Sequence, residues 1–295
     1  MLVSLKHVLD MAQKGNFCIP AFNVYNMETV MGVIKAAEEE KAPVIIQVYP
    51  RLINEEVGYY LAPVILAAAK KATVPVCFHL DHGPSELEAQ KILYWGATGI
   101  MYDGSVLPFE ENAAMTVAVT EFAHARGITV EAELGHVCDA IAGTGEDALL
   151  GNTEAKEENP EDSLTDPKEV EKFIEITDVD ALAVAVGTAH GVYRSTPTLR
   201  LDRLDEINKI SKSPLVLHGG SGTPDDQVKK AIELGITKIN IYSEVLNGLN
   251  TGLKDKLNDI QNMSMWPIYV YENANERMRE VIRNKIRTFG SNGRV

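Results

Sequence analysis

Three histidines share one local context. His82 closes the run Val74-Pro-Val-Cys-Phe-His-Leu-Asp-His-Gly-Pro84, His190 lies in Ala181-Leu-Ala-Val-Ala-Val-Gly-Thr-Ala-His-Gly191, and His218 in Pro214-Leu-Val-Leu-His-Gly-Gly-Ser-Gly222. Each follows a short apolar run of the kind that forms a buried strand, and each precedes a glycine. Three neutral imidazoles converging from three strand ends form an open zinc site, with one coordination position left for water or a substrate oxygen. A single histidine of this kind is more often a hydrogen-bonded structural residue; the repeated context carries the metal reading. Carboxylates extend the cluster. Asp81 abuts His82, Asp103 ends Thr98-Gly-Ile-Met-Tyr-Asp103, and Glu131 and Glu133 share one face of Ile128-Thr-Val-Glu-Ala-Glu133 by the side-chain period of two. Beside a bound zinc, a carboxylate serves as general base, as an orienting partner or as an alternative ligand. His79, three residues before His82, falls on the opposite face by the same period and is read as structural. His7 and His124 fall in helical segments, and His136 opens a loop where either reading applies.

Positioning such groups requires a scaffold, and the chain alternates strand and helix patterns at a spacing of about thirty residues. Strand patterns near 17–23, 43–49, 74–84, 98–103, 128–133, the His190 run, the His218 run and 236–241 are each followed by a helical pattern. Eight such units predict a single-domain (β/α)8 TIM barrel over residues 1–295, whose catalytic groups gather at the C-terminal strand ends. Two segments break the alternation. Gly135 to Thr165 is too long for an ordinary connection and reads as an active-site loop after strand five. Glu272 to Arg287 reads as an extra amphipathic C-terminal helix, which packs across the barrel or meets a neighbouring subunit.

Composition narrows the class. With 295 residues, 45% hydrophobic and 24% charged, the chain has the make-up of a globular α/β domain, and a formal net charge of −14 argues against nucleic acid as a partner. No apolar run is long enough to cross a bilayer, which predicts no membrane partner. The first residues lack the features of a signal peptide. Cys18, Cys77 and Cys138 are scattered, without a disulfide framework or metal spacing, and a cytoplasmic location is the expectation.

An anion site is the next feature. Gly219-Gly-Ser-Gly222 follows strand seven and opens a helix at Thr223-Pro224, and strand eight runs into Asn240-Ile-Tyr-Ser243. Free backbone N–H groups at helix starts bind anions, and the loops after strands seven and eight are where barrels commonly hold phosphate.

Taken in order, Leu80-Asp-His-Gly83, Met101-Tyr-Asp-Gly-Ser105, Glu131-Ala-Glu-Leu-Gly135, Gly187-Thr-Ala-His-Gly191, His218-Gly-Gly-Ser-Gly222 and Lys238-Ile-Asn-Ile241 resemble the class II, zinc-dependent ketose-bisphosphate aldolases. The likeness runs from Ala21-Phe-Asn23 to Phe289-Gly-Ser-Asn-Gly293. It implies reversible cleavage of a phosphorylated ketose to dihydroxyacetone phosphate and an aldehyde. It also implies Zn²⁺ on His82, His190 and His218, and Asp81 as the acid/base. Asp103 and Glu133 would then stand near a second cation, divalent or monovalent. Gly191, Gly219, Gly220, Ser221 and Asn240, Ile241, Tyr242 and Ser243 would hold phosphate, and Asn23, Gln47 and Arg194 complete the substrate-binding set. Glu146 is the candidate base in the long loop. A homo-oligomer, dimer or tetramer, and a small sugar phosphate are the expected partners.

Three departures from the family pattern fall at substrate-facing positions: Tyr49-Pro-Arg51 after strand two, Arg194 in place of lysine, and Tyr242-Ser243. They leave open whether fructose 1,6-bisphosphate, tagatose bisphosphate or another acidic ketose phosphate is the substrate, with Arg51, Arg194, Arg277 and Arg279 as candidate partners for a distal anion. Two other classes stay open: a Schiff-base aldolase using Lys238, and a non-catalytic sugar-phosphate-binding barrel.

Overall fold

The computed structural model describes residues 1–138, 163–191, 193, 196–262 and 264–295. Eight parallel strands close in sequence order. They are β1 (Ile19–Asn23), β2 (Val44–Val48), β3 (Val76–Gly83), β4 (Gly99–Tyr102), β5 (Thr129–Leu134), β6 (Ala181–Val184), β7 (Leu215–Leu217) and β8 (Ile236–Ile241). Around them lie α1 (Leu5–Gly15), α2 (Met27–Glu40), α3 (Pro50–Asn54), α4 (Glu56–Lys71), α5 (Glu86–Tyr94), α6 (Phe109–His124), α7 (Pro167–Thr177), α8 (Leu201–Ile210), α9 (Asp225–Glu233), α10 (Ser243–Asp259) and α11 (Pro267–Thr288). This is the expected (β/α)8 barrel.

Every strand is buried along its length because it feeds two cores. Phe22, Phe78, Ile100, Leu182 and Ile239 face the surrounding helices. Ile19, Ile45, Cys77, Met101 and Val216 fill the barrel interior, where Leu5, Val8 and Leu9 of α1 join them. Helix α1 therefore stoppers the N-terminal end. Ser4 caps it by accepting from the His7 N–H at 3.2 Å. The contact is close: a Cβ on Gly99 would stand 2.6 Å from Leu5 Cβ and 3.0 Å from His79 Nδ1. Above this apolar floor the interior turns polar, with His79, Glu131 and Lys238 fully buried and Asp81, Glu133 and His218 nearer the C-terminal mouth.

The structure alters three details of the sequence reading. The helical unit after β2 begins at Pro50, and Pro63 is accommodated inside α4. Strand β6 ends at Val184, so His190 stands on the following loop; its N–H donates to Cys138 O at 2.8 Å. The extra helix α11 lies against α2 and α10. Arg279 and Arg283 pair with Glu39 at 3.2 and 2.7 Å, and Ala274 approaches so closely that a Cβ on Gly252 would be 2.5 Å from its Cα.

Candidate active site at the C-terminal mouth

Strand β3 delivers two adjacent side chains to one place, which a regular strand cannot do. Its pairing with β4 shifts register between Leu80 and Gly83, and His82 takes the left-handed backbone region at φ 45°. The bulge turns His82 inward beside Asp81. His79 is thereby corrected: it faces the interior as well, one layer deeper, with Nε2 3.4 Å from Glu131 Oε2.

His82, His190 and His218 each offer a ring nitrogen, all within 4.8 Å of one another, and His82, Asp103 and Glu133 form a second such group. The tautomers follow from the carboxylates. His82 Nδ1 is 2.6 Å from Asp103 Oδ2, and His218 Nε2 is 2.9 Å from Glu131 Oε1. Burial would raise the Asp103 carboxyl, but its bond to His82 and the Ser105 donors hold it far below the usual range. Burial acts likewise on Glu131, and Lys238, followed by His218, outweighs it. Both carboxylates are therefore acceptors, and the facing imidazole nitrogens carry the protons. The remaining nitrogens, His82 Nε2 and His218 Nδ1, point at each other 2.7 Å apart. Burial, and then neighbouring His82, pushes His218 down to about 4. The same causes, with His218 added, hold His190 well below the ordinary imidazole range. Neutral imidazoles with converging lone pairs fit a divalent cation.

Asp81 stands beside this cluster, fully buried. Its Oδ2 accepts from Asn23 Nδ2 at 2.7 Å and Gln47 Nε2 at 2.9 Å, and its Oδ1 accepts from Asn240 Nδ2 at 2.8 Å. Three amides from β1, β2 and β8 thus fix one carboxylate. Gln47, expected among substrate-binding residues, is turned to Asp81. Lys238 is equally committed, its Nζ 2.9 and 2.8 Å from the two oxygens of Glu131.

Beside the imidazoles opens a cleft of about 290 Å³, counting the part open to solvent, lined by Asn23, Gly191, Gly219, Gly220, Ser221, Asn240, Tyr242 and Ser243 among others. The Ser221 hydroxyl accepts from Tyr242 N–H at 3.0 Å, and Ser243 begins α10, whose N-terminus faces this side. Ile241 is not among the lining residues, and its side chain is buried in the core between strands and helices. Tyr25 packs edge-on against Tyr242 at 5.8 Å, and Tyr49 lies 6.2 Å from His82, so aromatic rings line the mouth at β1, β2 and β8. Two candidate distal cations are elsewhere. Arg277 pairs with Asp255 at 2.6 Å, and Arg279 with Glu39 and Glu276. Arg51 pairs with Glu55 at 3.0 Å. Glu146 and Arg194 lie outside the described residues.

Two contacts beside the site have no counterpart in the sequence pattern: His136 Nδ1 is 2.9 Å from Ser105 Oγ, and the Tyr193 hydroxyl bonds two loops. Neither carries a signal at strand spacing.

A parallel barrel with imidazoles, carboxylates and an anion-sized cleft at its C-terminal mouth is the arrangement of barrel enzymes. The chain belongs to the fructose-bisphosphate aldolase class-II family, whose sequence model matches residues 3–294. The YdjI aldolase from Escherichia coli K12 has a similar structure, at 34% identity over 99% of both chains and a TM-score of 0.85. A putative fructose-1,6-bisphosphate aldolase from Coccidioides immitis matches at 28% identity over 98% of this chain and 96% of that one, TM-score 0.85. A fructose-bisphosphate aldolase from Campylobacter jejuni shares the fold, at 22% identity over 100% and 97% and a TM-score of 0.80. The protein is therefore an aldolase of the class II type, which answers the Schiff-base and binding-only alternatives. Among the described residues no helix is long and apolar enough to cross a membrane.

Proposed function

We propose that the protein is a zinc-dependent aldolase that reversibly cleaves a phosphorylated ketose to dihydroxyacetone phosphate and an aldehyde. The observation that carries this reading is the pair of imidazole nitrogens 2.7 Å apart, each backed by a carboxylate on its other nitrogen. His82, His190 and His218 hold the zinc, which when bound supplies positive charge toward the ketone oxygen as electron density moves there. Asp81 accepts the proton from the hydroxyl beside the scissile bond and returns it in the condensation direction. Asn23, Gln47 and Asn240 keep its oxygens aimed at that proton. Asp103 orients His82, and together with Glu133 it would hold a second cation. Backbone and side-chain donors of Gly219, Ser221 and Ser243 hold the phosphate, and Gly220, whose N–H is given to Asn240 O at 3.2 Å, leaves room for it without a side chain. Glu146 remains our candidate for the base acting on dihydroxyacetone phosphate.

The tyrosines at the mouth favour a finer reading: fructose 1,6-bisphosphate is not the best substrate, because Tyr242 lines the cleft beside the phosphate donors and Tyr49 stands against His82. With Arg277 and Arg279 turned to acidic partners, an anionic distal group no longer has their support. Exhaustive chelation followed by zinc titration in a cleavage assay tests the function: activity is expected to vanish and return with about one zinc per chain. Full activity after chelation would sink it. The same assay run across fructose 1,6-bisphosphate, tagatose bisphosphate and other ketose 1-phosphates tests the substrate. An advantage of about tenfold or more in kcat/KM for fructose 1,6-bisphosphate would overturn the finer reading.

A further inference from the structure

We infer that Tyr193 is a positioning residue whose hydroxyl ties the loop carrying His190 to the loop carrying His218 and so fixes the spacing of these two imidazoles. The inference rests on the reading of that cluster as a zinc site.

The sheet alone does not hold these loops together. The last paired residues of β6 and β7 are Ala183 and Val216, two residues short of His218 and seven short of His190. Both histidines therefore stand beyond the ladder, where backbone pairing no longer sets their separation. The Tyr193 hydroxyl accepts from Ala189 N–H at 2.8 Å and donates to Gly219 O at 2.9 Å. Ala189 immediately precedes His190, and Gly219 immediately follows His218. One phenol thus bridges the residues flanking two of the three imidazoles, with its donor and one acceptor site both used.

The backbone is shaped to receive it. Gly219 has φ 63°, and a Cβ there would stand 2.5 Å from Ala189 O, so the two loops touch at this point. Gly222 has φ 80°, and a Cβ there would lie 3.0 Å from the Tyr193 ring. The ring packs against the glycine turn that lines the cleft while its hydroxyl holds the loops. Burial raises the phenol's pKa, which keeps the proton that Gly219 O accepts. Tyr193 is not among the residues lining the cleft or the imidazole cluster, so its influence passes through the loops it joins.

Tyr193→Phe removes the hydroxyl and keeps the ring. Zinc-loaded wild type and variant are mixed with a chromophoric chelator, and the release rate is followed alongside the unfolding temperature of the metal-free proteins. Partners that orient metal ligands from outside the first layer commonly change metal affinity by about 10- to 100-fold. The expected result is release faster by about tenfold at an unchanged metal-free unfolding temperature, with KM raised more than kcat is lowered. Release within about twofold of wild type overturns the inference. So does faster release matched by a metal-free unfolding temperature several degrees lower, which would mark a general packing role. Wild-type protein that takes up no zinc overturns the zinc reading itself, and this inference with it.

Discussion

In the proposed reaction, Asp81 is the residue on which proton transfer and packing meet. Removing a general acid/base typically costs about 10²- to 10⁴-fold in rate. In Asp81→Ala we expect a loss of that size in turnover with zinc content retained, since His82, His190 and His218 are untouched. The same substitution leaves the buried amides of Asn23, Gln47 and Asn240 without their acceptor. Each orphaned donor costs about 1–3 kcal/mol, so the variant should also unfold at a lower denaturant concentration. Metal analysis with a single-turnover assay decides the matter: loss of zinc from Asp81→Ala would make the carboxylate a structural support rather than the acid/base.

At the scale of elements, the barrel and its strand ends were legible because strand runs and helical patterns repeat along the chain. The bulge in β3 was not. By the period of two, His79 and His82 fall on opposite faces, and only the register shift between Leu80 and Gly83, with His82 at φ 45°, brings both inside. The continuously apolar run Ala181–Val186 predicts a strand reaching close to His190, yet the ladder stops at Val184. The arginines of α11 are candidate substrate partners by sequence, because spacing does not show which neighbour claims a long side chain. Asp255, which takes Arg277, lies twelve residues into α10, about 18 Å from the helix start at the mouth. Strands β5 and β8 meet in the Glu131–Lys238 pair, both residues fully buried. Breaking a buried pair by removing one partner costs about 3–5 kcal/mol, whereas replacing both is often neutral. Lys238→Met should therefore destabilise strongly, and Lys238→Met with Glu131→Gln should recover most of the loss in chemical denaturation. A double variant no more stable than the single one would mean that the lysine contributes by filling space rather than by charge.

Across the whole molecule, several buried groups titrate in one direction. The folded state holds His79 below its usual range by burial and then Lys238, and His218 at about 4 against an ordinary 6.5. Between those values the unfolded chain binds more protons than the folded one, so stability falls as pH falls from about 6.5 toward 4. His190 adds to this. Asp103 and Glu131, whose folded pKa values are depressed, contribute stability that is present above the unfolded carboxylate range and is lost as pH falls through it. From His218 alone, roughly 2 kcal/mol should be gone by pH 5, at 1.36 kcal/mol per pKa unit. Denaturant midpoints of the metal-free protein at pH 7.5 and pH 5 measure this; equal midpoints would contradict neutral burial of the histidines.

The Glu131–Lys238 contact also constrains how the sequence can drift over generations. Lys238 is chemically silent in the reaction we propose, yet its loss would strand a carboxylate that holds the ring of His218. Neither position can be altered first without passing through a damaged intermediate. Among descendants of a common ancestor the two sites should therefore change together or not at all, leaving a correlated pair of columns 107 positions apart.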